Sequence, residues 1–191
     1  MLKVAITGNI ASGKSTVEGI LRQKGYKVLD TDFVVHELFE DESVKKLMVF
    51  VFAGLDILEL RVERCYLNCM KLGKFFDQNP NVKRVDYPGL RDSAYYNLAV
   101  SQFGGIPGTV MTFDLESQEL CYRFMNRLKI IRRATNLNDN KSLIIHPYST
   151  IYAEFPENDR LEMGVRPTMM RLSVGIEGAE DLIEDILQAL E

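Results

Sequence analysis

The chain has few of the residues that bind metals or form disulfides. Its 191 residues include three cysteines and two histidines. Cys65, Cys69 and Cys121 leave one thiol over in any pairing, which favours a reducing, cytoplasmic location over a disulfide framework. Because His36 and His146 are the only histidines elsewhere in the chain, we do not expect a zinc site. We interpret Cys65 and Cys69 as small apolar side chains on one face of a helix.

Long apolar runs and an excess of positive charge are also absent. The most apolar run, residues 47 to 55, is well short of the ~20 residues that a membrane helix needs, and we expect it to be buried. The formal net charge is −4, whereas a general nucleic-acid binder needs a basic surface to displace counterions. The sequence therefore indicates no membrane and no nucleic-acid partner, and its first residues show no secretory signal.

Near the N-terminus, residues 8 to 15 match the phosphate-binding loop pattern G-x-x-x-x-G-K-S. Residues 2 to 7 predict a strand before the loop, and residues 14 to 24 predict a helix after it. In such loops the backbone N–H groups point at phosphate oxygens. We therefore predict a small-molecule nucleotide as partner, with ATP and Mg²⁺ bound; a glycine-containing turn that matches by chance is the alternative. The candidate binding residues are Gly8, Asn9, Ala11, Ser12, Gly13, Lys14, Ser15 and Thr16, with Ser15 as the Mg²⁺ ligand.

Two carboxylates follow a second predicted strand at residues 26 to 29. Asp30 and Asp32 stand at its carboxyl end, which in a parallel sheet is the edge that also carries the phosphate loop. Asp32 is therefore the candidate general base of a phosphate transfer, with Lys14 as the second catalytic residue. Its alternative role is to cap the helix that follows.

The remainder of the chain alternates helices and strands. The periodicity predicts helices at 56–76, 93–101, 118–128 and 178–190, and strands at 82–87, 109–115, 143–145 and 171–174. Ser117 is the expected N-cap of the helix at 118. The predicted fold class is α/β, with an N-terminal P-loop β-α-β unit (1–46) joined to a C-terminal α+β sandwich (47–191).

The first 44 residues resemble dephospho-coenzyme A kinase. The matching stretches are residues 6–17, 28–32 and 36–38. The resemblance implies coenzyme A biosynthesis and phosphate transfer from ATP to the 3'-hydroxyl of dephospho-coenzyme A, with Asp32 as the base. The later elements of that family are not found, so we expect ATP binding more than turnover.

From about residue 53 to residue 190 the chain resembles the C-terminal domain of the pyridoxal-phosphate enzymes of cysteine and methionine metabolism. Examples are O-acetylhomoserine sulfhydrylase and cystathionine γ-synthase. The matching stretches are residues 58–64, 81–90, 126–129, 141–147 and 171–177. The resemblance implies that Arg171 holds the substrate α-carboxylate, the alternative being a surface strand arginine. It also places the Schiff-base lysine in a larger preceding domain, so we expect no pyridoxal phosphate chemistry from this chain alone.

Together the two resemblances predict a chimeric chain with a seam between Ser43 and Leu58. The first function hypothesis is an ATP-binding, kinase-like phosphotransferase. The second is a non-catalytic C-terminal domain of a pyridoxal-phosphate enzyme, without the Schiff-base lysine. Whether the chain forms an oligomer stays open.

Overall fold

The computed structural model describes residues 14–28 and 41–191. The chain divides into two units, Met1–Asp56 and Ile57–Glu191, which are described separately. The predicted strand at 2–7, the loop residues Gly8, Asn9, Ala11, Ser12 and Gly13, and Asp32 lie outside the described residues. The predicted domain boundary after residue 46 stays a prediction.

The described part of the first unit contains helices α1 (Lys14–Gln23) and α2 (Glu42–Asp56). Helix α1 confirms the helix expected after the glycine-rich segment, and it stops at the expected place. Gly25 has a positive φ of 79°, and the N–H of Tyr26 donates to the Leu21 carbonyl over 3.1 Å, a common way to end a helix. Residues 26 to 28 form no strand, so the strand predicted there is wrong over its described part. A strand is stable only when it forms hydrogen bonds with a neighbouring strand, and no described residue forms such a pairing with residues 26 to 28.

Helix α2 contains the apolar run. Its first turn is capped by Asp41, whose carboxylate accepts the Ser43 backbone N–H over 2.7 Å. Hydrogen bonds from Ser43 lower the pKa of Asp41. None of the residues in α2 is buried in the described structure, so the expected burial of this run is not seen. Apolar side chains at successive positions point all around a helix and define no single core face.

The second unit is built from five helices, a short 3₁₀ turn and five strands. The helices are α3 (Leu58–Gln78), α4 (Tyr96–Phe103), α5 (Gln118–Arg127), α6 (Glu157–Glu162) and α7 (Ala179–Leu190), and the 3₁₀ turn is Pro147–Ser149. The strands are β1 (Arg84–Asp86), β2 (Val110–Asp114), β3 (Arg132–Arg133), β4 (Leu143–Ile145) and β5 (Met169–Ser173). Among the described residues, no helix is long and apolar enough to cross a membrane.

The strands form one mixed sheet in the order β1-β2-β5-β4-β3. The pairs β1–β2, β2–β5 and β5–β4 are antiparallel, while β3 runs parallel to β4. Side chains alternate across a strand, so Phe113 of β2, Met170 and Leu172 of β5 and Ile144 of β4 all enter one core. Helices α3, α5 and α7 cover that core with apolar side chains such as Cys69, Phe76, Phe124, Leu182 and Ile186.

The predicted α+β sandwich is therefore confirmed as a mixed α/β arrangement with a five-stranded sheet. Ser117 caps α5 as expected, because its hydroxyl accepts the Leu120 N–H over 3.2 Å. The two-residue strand β3 and the six-residue helix α6 were not predicted, since both are too short for a periodic pattern. The phosphate-loop unit is not shown by the described residues.

Candidate functional site

Arg171 lies at the centre of β5 and in the middle of the sheet. Its backbone pairs with Thr112 of β2 on one side and with Ile145 of β4 on the other. Met170 and Leu172, before and after it, are fully buried in the helix-covered core. Because neighbouring side chains point to opposite faces, Arg171 points to the face away from helices α3, α5 and α7.

The guanidinium of Arg171 is held at one nitrogen. Its Nη2 donates to the backbone carbonyl of Thr135 over 2.8 Å. Partial burial lowers the pKa of Arg171, while the nearby Tyr152 acts in the opposite direction. An arginine nevertheless remains charged at neutral pH. Within residues 14–28 and 41–191, no carboxylate forms an ion pair with it, so this cation has capacity for an external anion.

Arg166 shows what a structural arginine looks like in the same unit. It binds Asp114 through two nitrogens, at 2.9 and 2.6 Å, and it lies 3.4 Å from Asp86. These hydrogen bonds and charges raise the pKa of Arg166, and Thr168 donates a further hydrogen bond to Asp114. The charge of Arg166 is therefore neutralised within the fold, whereas no carboxylate of the described residues pairs with Arg171.

The loop that supplies the Thr135 carbonyl is tied to the end of β5. The N–H of Asn138 donates to the Ser173 hydroxyl over 2.9 Å, and the Thr109 hydroxyl donates to the Asn138 side-chain oxygen over 2.6 Å. Asn138 has a φ of 57°, a left-handed conformation that asparagine adopts more readily than most residues. The loop is thus fixed on both sides of the residue that turns it.

A buried polar network ties the start of β4 to the turn after β5. The Glu177 carboxylate accepts both the backbone N–H of Ser142, over 2.7 Å, and its hydroxyl, over 2.9 Å. The Ser142 hydroxyl in turn accepts the Gly175 N–H over 2.9 Å. Asn68 of α3 donates to the carbonyls of Gly175 and Glu177. The predicted stretches 141–147 and 171–177 therefore meet in space.

The segment after β4 also approaches the Arg171 face. Tyr152 packs against a small cluster that contains Tyr148, Val165 and Met169, and Met169 precedes Arg171 by two positions on the same face of β5. His146 ties the residue that follows β4 to the backbone just before β5. Its Nε2 lies 2.7 Å from the Pro167 carbonyl, so Nε2 carries the proton, because a carbonyl only accepts.

A cavity of about 190 Å³ lies beside the anchored loop. Arg61 and Cys65 of α3 line it together with Thr109 and Asn138, and Arg61 donates to the Asn140 side chain over 2.9 Å. Burial raises the pKa of the Cys65 thiol. Cys69 is fully buried and belongs to the core, which confirms that these cysteines share a buried helix face.

The other predicted site residues are not brought together by the described structure. Lys14, Ser15 and Thr16 begin helix α1, and only the backbone of Lys14 and Ser15 is described. The remaining loop residues and Asp32 lie outside the described residues, so their predicted roles have no geometry to test them. Sequence reasoning missed Thr135, Asn138 and Ser142. The sequence gives little indication of these residues, because loop positions follow no periodic apolar pattern.

Comparison with known proteins gives a family match over most of the chain. The model of the Cys/Met metabolism PLP-dependent enzyme family matches residues 10–191. The chain is 39% identical over 141 residues to O-acetyl-L-homoserine sulfhydrylase 1 of Thermus thermophilus, covering 73% of this chain and 34% of that protein. It is 36% identical to cystathionine gamma-lyase of Mus musculus, covering 72% and 35%.

A solved structure supports the same relationship. An O-acetylhomoserine sulfhydrylase of Wolinella succinogenes superposes with a TM-score of 0.64 at 49% sequence identity, covering 73% of this chain and 36% of that chain. The chain therefore spans about a third of the length of the relatives that it matches.

These matches overturn the kinase-like interpretation. The family model starts at residue 10, inside the phosphate-loop pattern, and its match extends past the predicted seam to residue 191. The chimeric chain, the ATP-binding dephospho-coenzyme A kinase type of function, the phosphotransferase class and the link to coenzyme A biosynthesis are therefore wrong. The expectation of ATP and Mg²⁺ in place of pyridoxal phosphate is also wrong, because the matched family depends on pyridoxal phosphate.

The physical reason for the error is the brevity of the motif. The pattern G-x-x-x-x-G-K-S fixes only Gly8, Gly13, Lys14 and Ser15. Four positions are too few to separate a phosphate loop from a glycine-containing turn unless the surrounding strand and helix are both shown.

Proposed function

Because the chain belongs to the Cys/Met metabolism PLP-dependent enzyme family, we propose that it forms the part of such an enzyme that holds the substrate by its α-carboxylate. Arg171 is the binding residue in this proposal. The observation that carries it is a partly buried guanidinium that donates to a backbone carbonyl. No carboxylate of the described residues forms an ion pair with it. A planar guanidinium matches a carboxylate through two parallel hydrogen bonds.

The environment of Arg171 suits an anionic ligand. Partial burial weakens the competition of water for the guanidinium, so a charge-assisted hydrogen bond there is stronger than at a fully exposed site. The Thr135 carbonyl restrains one nitrogen of the fork. The other donors of the guanidinium are then available to a ligand carboxylate, whose negative charge would pair with a cation that has no ion-pair partner among the described residues.

The proposed substrate is an O-acylated amino acid of the O-acetylhomoserine type. Support comes from the sulfhydrylase of Wolinella succinogenes, at 49% identity, and from that of Thermus thermophilus, at 39%. Arg171 would recognise only the α-carboxylate that all amino acids share. Selection of one amino acid over another would depend on contacts with the substrate's side chain. Neighbouring residues such as Tyr152, on the same side of the sheet, would make these contacts.

The described residues of this chain do not fit a covalent site for pyridoxal phosphate. A Schiff-base lysine has to present an uncharged amine, which enzymes obtain by desolvating the side chain or placing it beside another cation. Each lysine whose side chain is described here is exposed to solvent. We therefore derive no catalytic step through the cofactor, and the proposal is limited to the substrate carboxylate.

Equilibrium titration with O-acetyl-L-homoserine, followed by NMR of the arginine side chains, tests the proposal. The wild-type chain should bind this amino acid more tightly than its analogue without the carboxylate, O-acetyl-3-aminopropanol. Arg171→Lys should weaken the binding about tenfold or more, because a lysine cannot reproduce the two-point contact.

Arg133→Lys is the matched control. Arg133 is an exposed strand arginine that bonds to the Asn126 side chain over 2.8 Å, so its replacement should leave the titration unchanged. Equal affinity of the wild-type chain and Arg171→Lys would reject Arg171 as the carboxylate-binding residue. Equal affinity for the two ligands would reject carboxylate recognition altogether.

A further inference from the structure

We propose that Ser173 is a positioning residue for Arg171. The inference rests on the proposed role of Arg171 as the carboxylate-binding residue and adds a second residue to that site. Ser173 follows Arg171 by two positions in β5, so both side chains point to the same face of the sheet. Ser173 is only 1% exposed, and its hydroxyl accepts the backbone N–H of Asn138 over 2.9 Å.

The hydrogen bond at Ser173 anchors the loop that holds Arg171. Asn138 is three residues beyond Thr135, whose carbonyl accepts the Arg171 guanidinium over 2.8 Å. The contacts form a closed ring. Strand β5 connects Arg171 to Ser173, and the Ser173 hydroxyl accepts the Asn138 N–H. The loop then runs from Asn138 back to Thr135, whose carbonyl accepts the Arg171 guanidinium.

Thr109 fixes Asn138 from the opposite side. Its hydroxyl donates to the Asn138 side-chain oxygen over 2.6 Å, and its carbonyl accepts the Val174 N–H over 2.9 Å. Thr109 is itself 6% exposed. Asn138 is therefore held between the start of β2 and the end of β5, and the loop cannot shift without breaking a bond to one of these buried hydroxyls.

The ring restricts Arg171 before any ligand binds. An unrestrained arginine loses rotamer freedom when it binds a carboxylate, and this loss reduces affinity. Residues that hold a binding side chain in its productive rotamer remove that cost in advance. Ser173→Ala would leave the Asn138 N–H without its acceptor and release the Thr135 carbonyl, so that Arg171 becomes mobile although its own bonds to ligand are unchanged.

The first test uses no ligand. In ¹⁵N NMR spectra of the full chain, the Arg171 guanidinium, assigned with Arg171→Lys, should show slow rotation of its Nη2 group in the wild type and averaged signals in Ser173→Ala. Ser173→Thr retains the hydroxyl and should restore slow rotation. Ser117→Ala removes another serine hydroxyl that accepts a backbone N–H, at the start of α5, and should leave the Arg171 signals unchanged.

The second test adds O-acetyl-L-homoserine. Ser173→Ala should weaken its binding about threefold to tenfold, with recovery in Ser173→Thr and no change in Ser117→Ala. If Ser173→Ala does not fold, Thr109→Val serves in its place, because it removes the second anchor of Asn138 and should also increase Arg171 mobility. Unchanged Arg171 signals in the folded variant would overturn the positioning role.

The two proposals fail in different ways. If Arg171→Lys binds the amino acid as tightly as the wild type, the carboxylate role of Arg171 is wrong whatever the mobility data show. If Arg171→Lys loses binding while Ser173→Ala keeps both the affinity and the restricted guanidinium, only the positioning role of Ser173 is wrong.

Discussion

The Glu177 carboxylate accepts both hydrogens that Ser142 can offer, the backbone N–H over 2.7 Å and the hydroxyl over 2.9 Å. The two residues are 35 positions apart, and Ser142 is fully buried. This pair joins the residue that precedes β4 to the turn after β5. It stabilises the sheet beside the strand that carries Arg171.

Glu177→Gln should lower the free energy of unfolding by about 1–3 kcal/mol. The amide nitrogen of glutamine cannot accept either hydrogen from Ser142, so one buried donor loses its partner. Chemical denaturation measures the change. Glu154→Gln, at an exposed turn position, should stay within about 0.5 kcal/mol of the wild type, and an equally small effect at Glu177 would contradict the account of this pair.

Gly175→Ala should destabilise the same region by more than about 2 kcal/mol. A Cβ at this position would lie 2.5 Å from the Asn140 carbonyl oxygen and 2.5 Å from Glu177 Oε2, so the backbone has to move. Thermal unfolding of the variant reports the loss. In contrast, Gly19→Ala in helix α1 meets nothing within 4 Å and should not lower stability; similar losses in both variants would argue against a close contact at Gly175.

Asp185 of α7 caps the segment between α5 and β3. Its carboxylate accepts the backbone N–H groups of Lys129, Ile130 and Ile131 over 2.7, 2.9 and 3.0 Å, and Asp185 is only 4% exposed. Asp185→Asn turns one acceptor into a donor facing these groups and should cost about 2–3 kcal/mol of unfolding free energy. Hydrogen exchange at residues 129 to 131 should accelerate.

The exposed Glu184 on the same helix provides the comparison for Asp185. Glu184→Gln should alter neither the unfolding midpoint nor the exchange of residues 129 to 131. Protection of these three amides that survives in Asp185→Asn would show that the carboxylate does not hold the segment.

His146 should make the fold less stable in mild acid. Its burial lowers the pKa of the imidazole, so the unfolded chain takes up a proton before the folded chain does. Stability is then complete above the unfolded pKa of ~6.5 and falls as the pH drops towards the lowered folded value, by up to about 1.4 kcal/mol per pH unit. Denaturation at a series of pH values between 7 and 5 measures this slope.

Comparison of the two histidines isolates the effect. The chain contains only His36 and His146, so each can be replaced by glutamine in turn. His146→Gln should flatten the pH dependence over this range, and the parallel variant His36→Gln measures what the other histidine contributes. A slope that persists in His146→Gln would assign the acid sensitivity to other groups.

Sequence periodicity was sufficient for the longer regular elements of the second unit, but not for β3 and α6. The helix predicted at 56–76 is α3, and the strand predicted at 109–115 is β2, because both bury a repeating apolar pattern. The positioning of Arg171 was not predictable in this way. Thr135 and Asn138 act through a backbone carbonyl and a backbone N–H, and these groups are the same in every non-proline residue.

The largest error came from a short motif. The glycine-rich segment suggested a nucleotide site from four fixed positions, whereas the stretches at 141–147 and 171–177 pointed to the matched family. The Arg171 role is a position-specific expectation from that resemblance. The position of Arg171 in the middle of the sheet became visible only when β5 paired with β2 and β4.

The most direct test of the central claim is a crystal structure of this chain with O-acetyl-L-homoserine. The account predicts both carboxylate oxygens of the amino acid within about 3.2 Å of Arg171 guanidinium nitrogens, with the Thr135 contact retained. A ligand whose carboxylate lies at other residues, with Arg171 still directed only to Thr135, would contradict it.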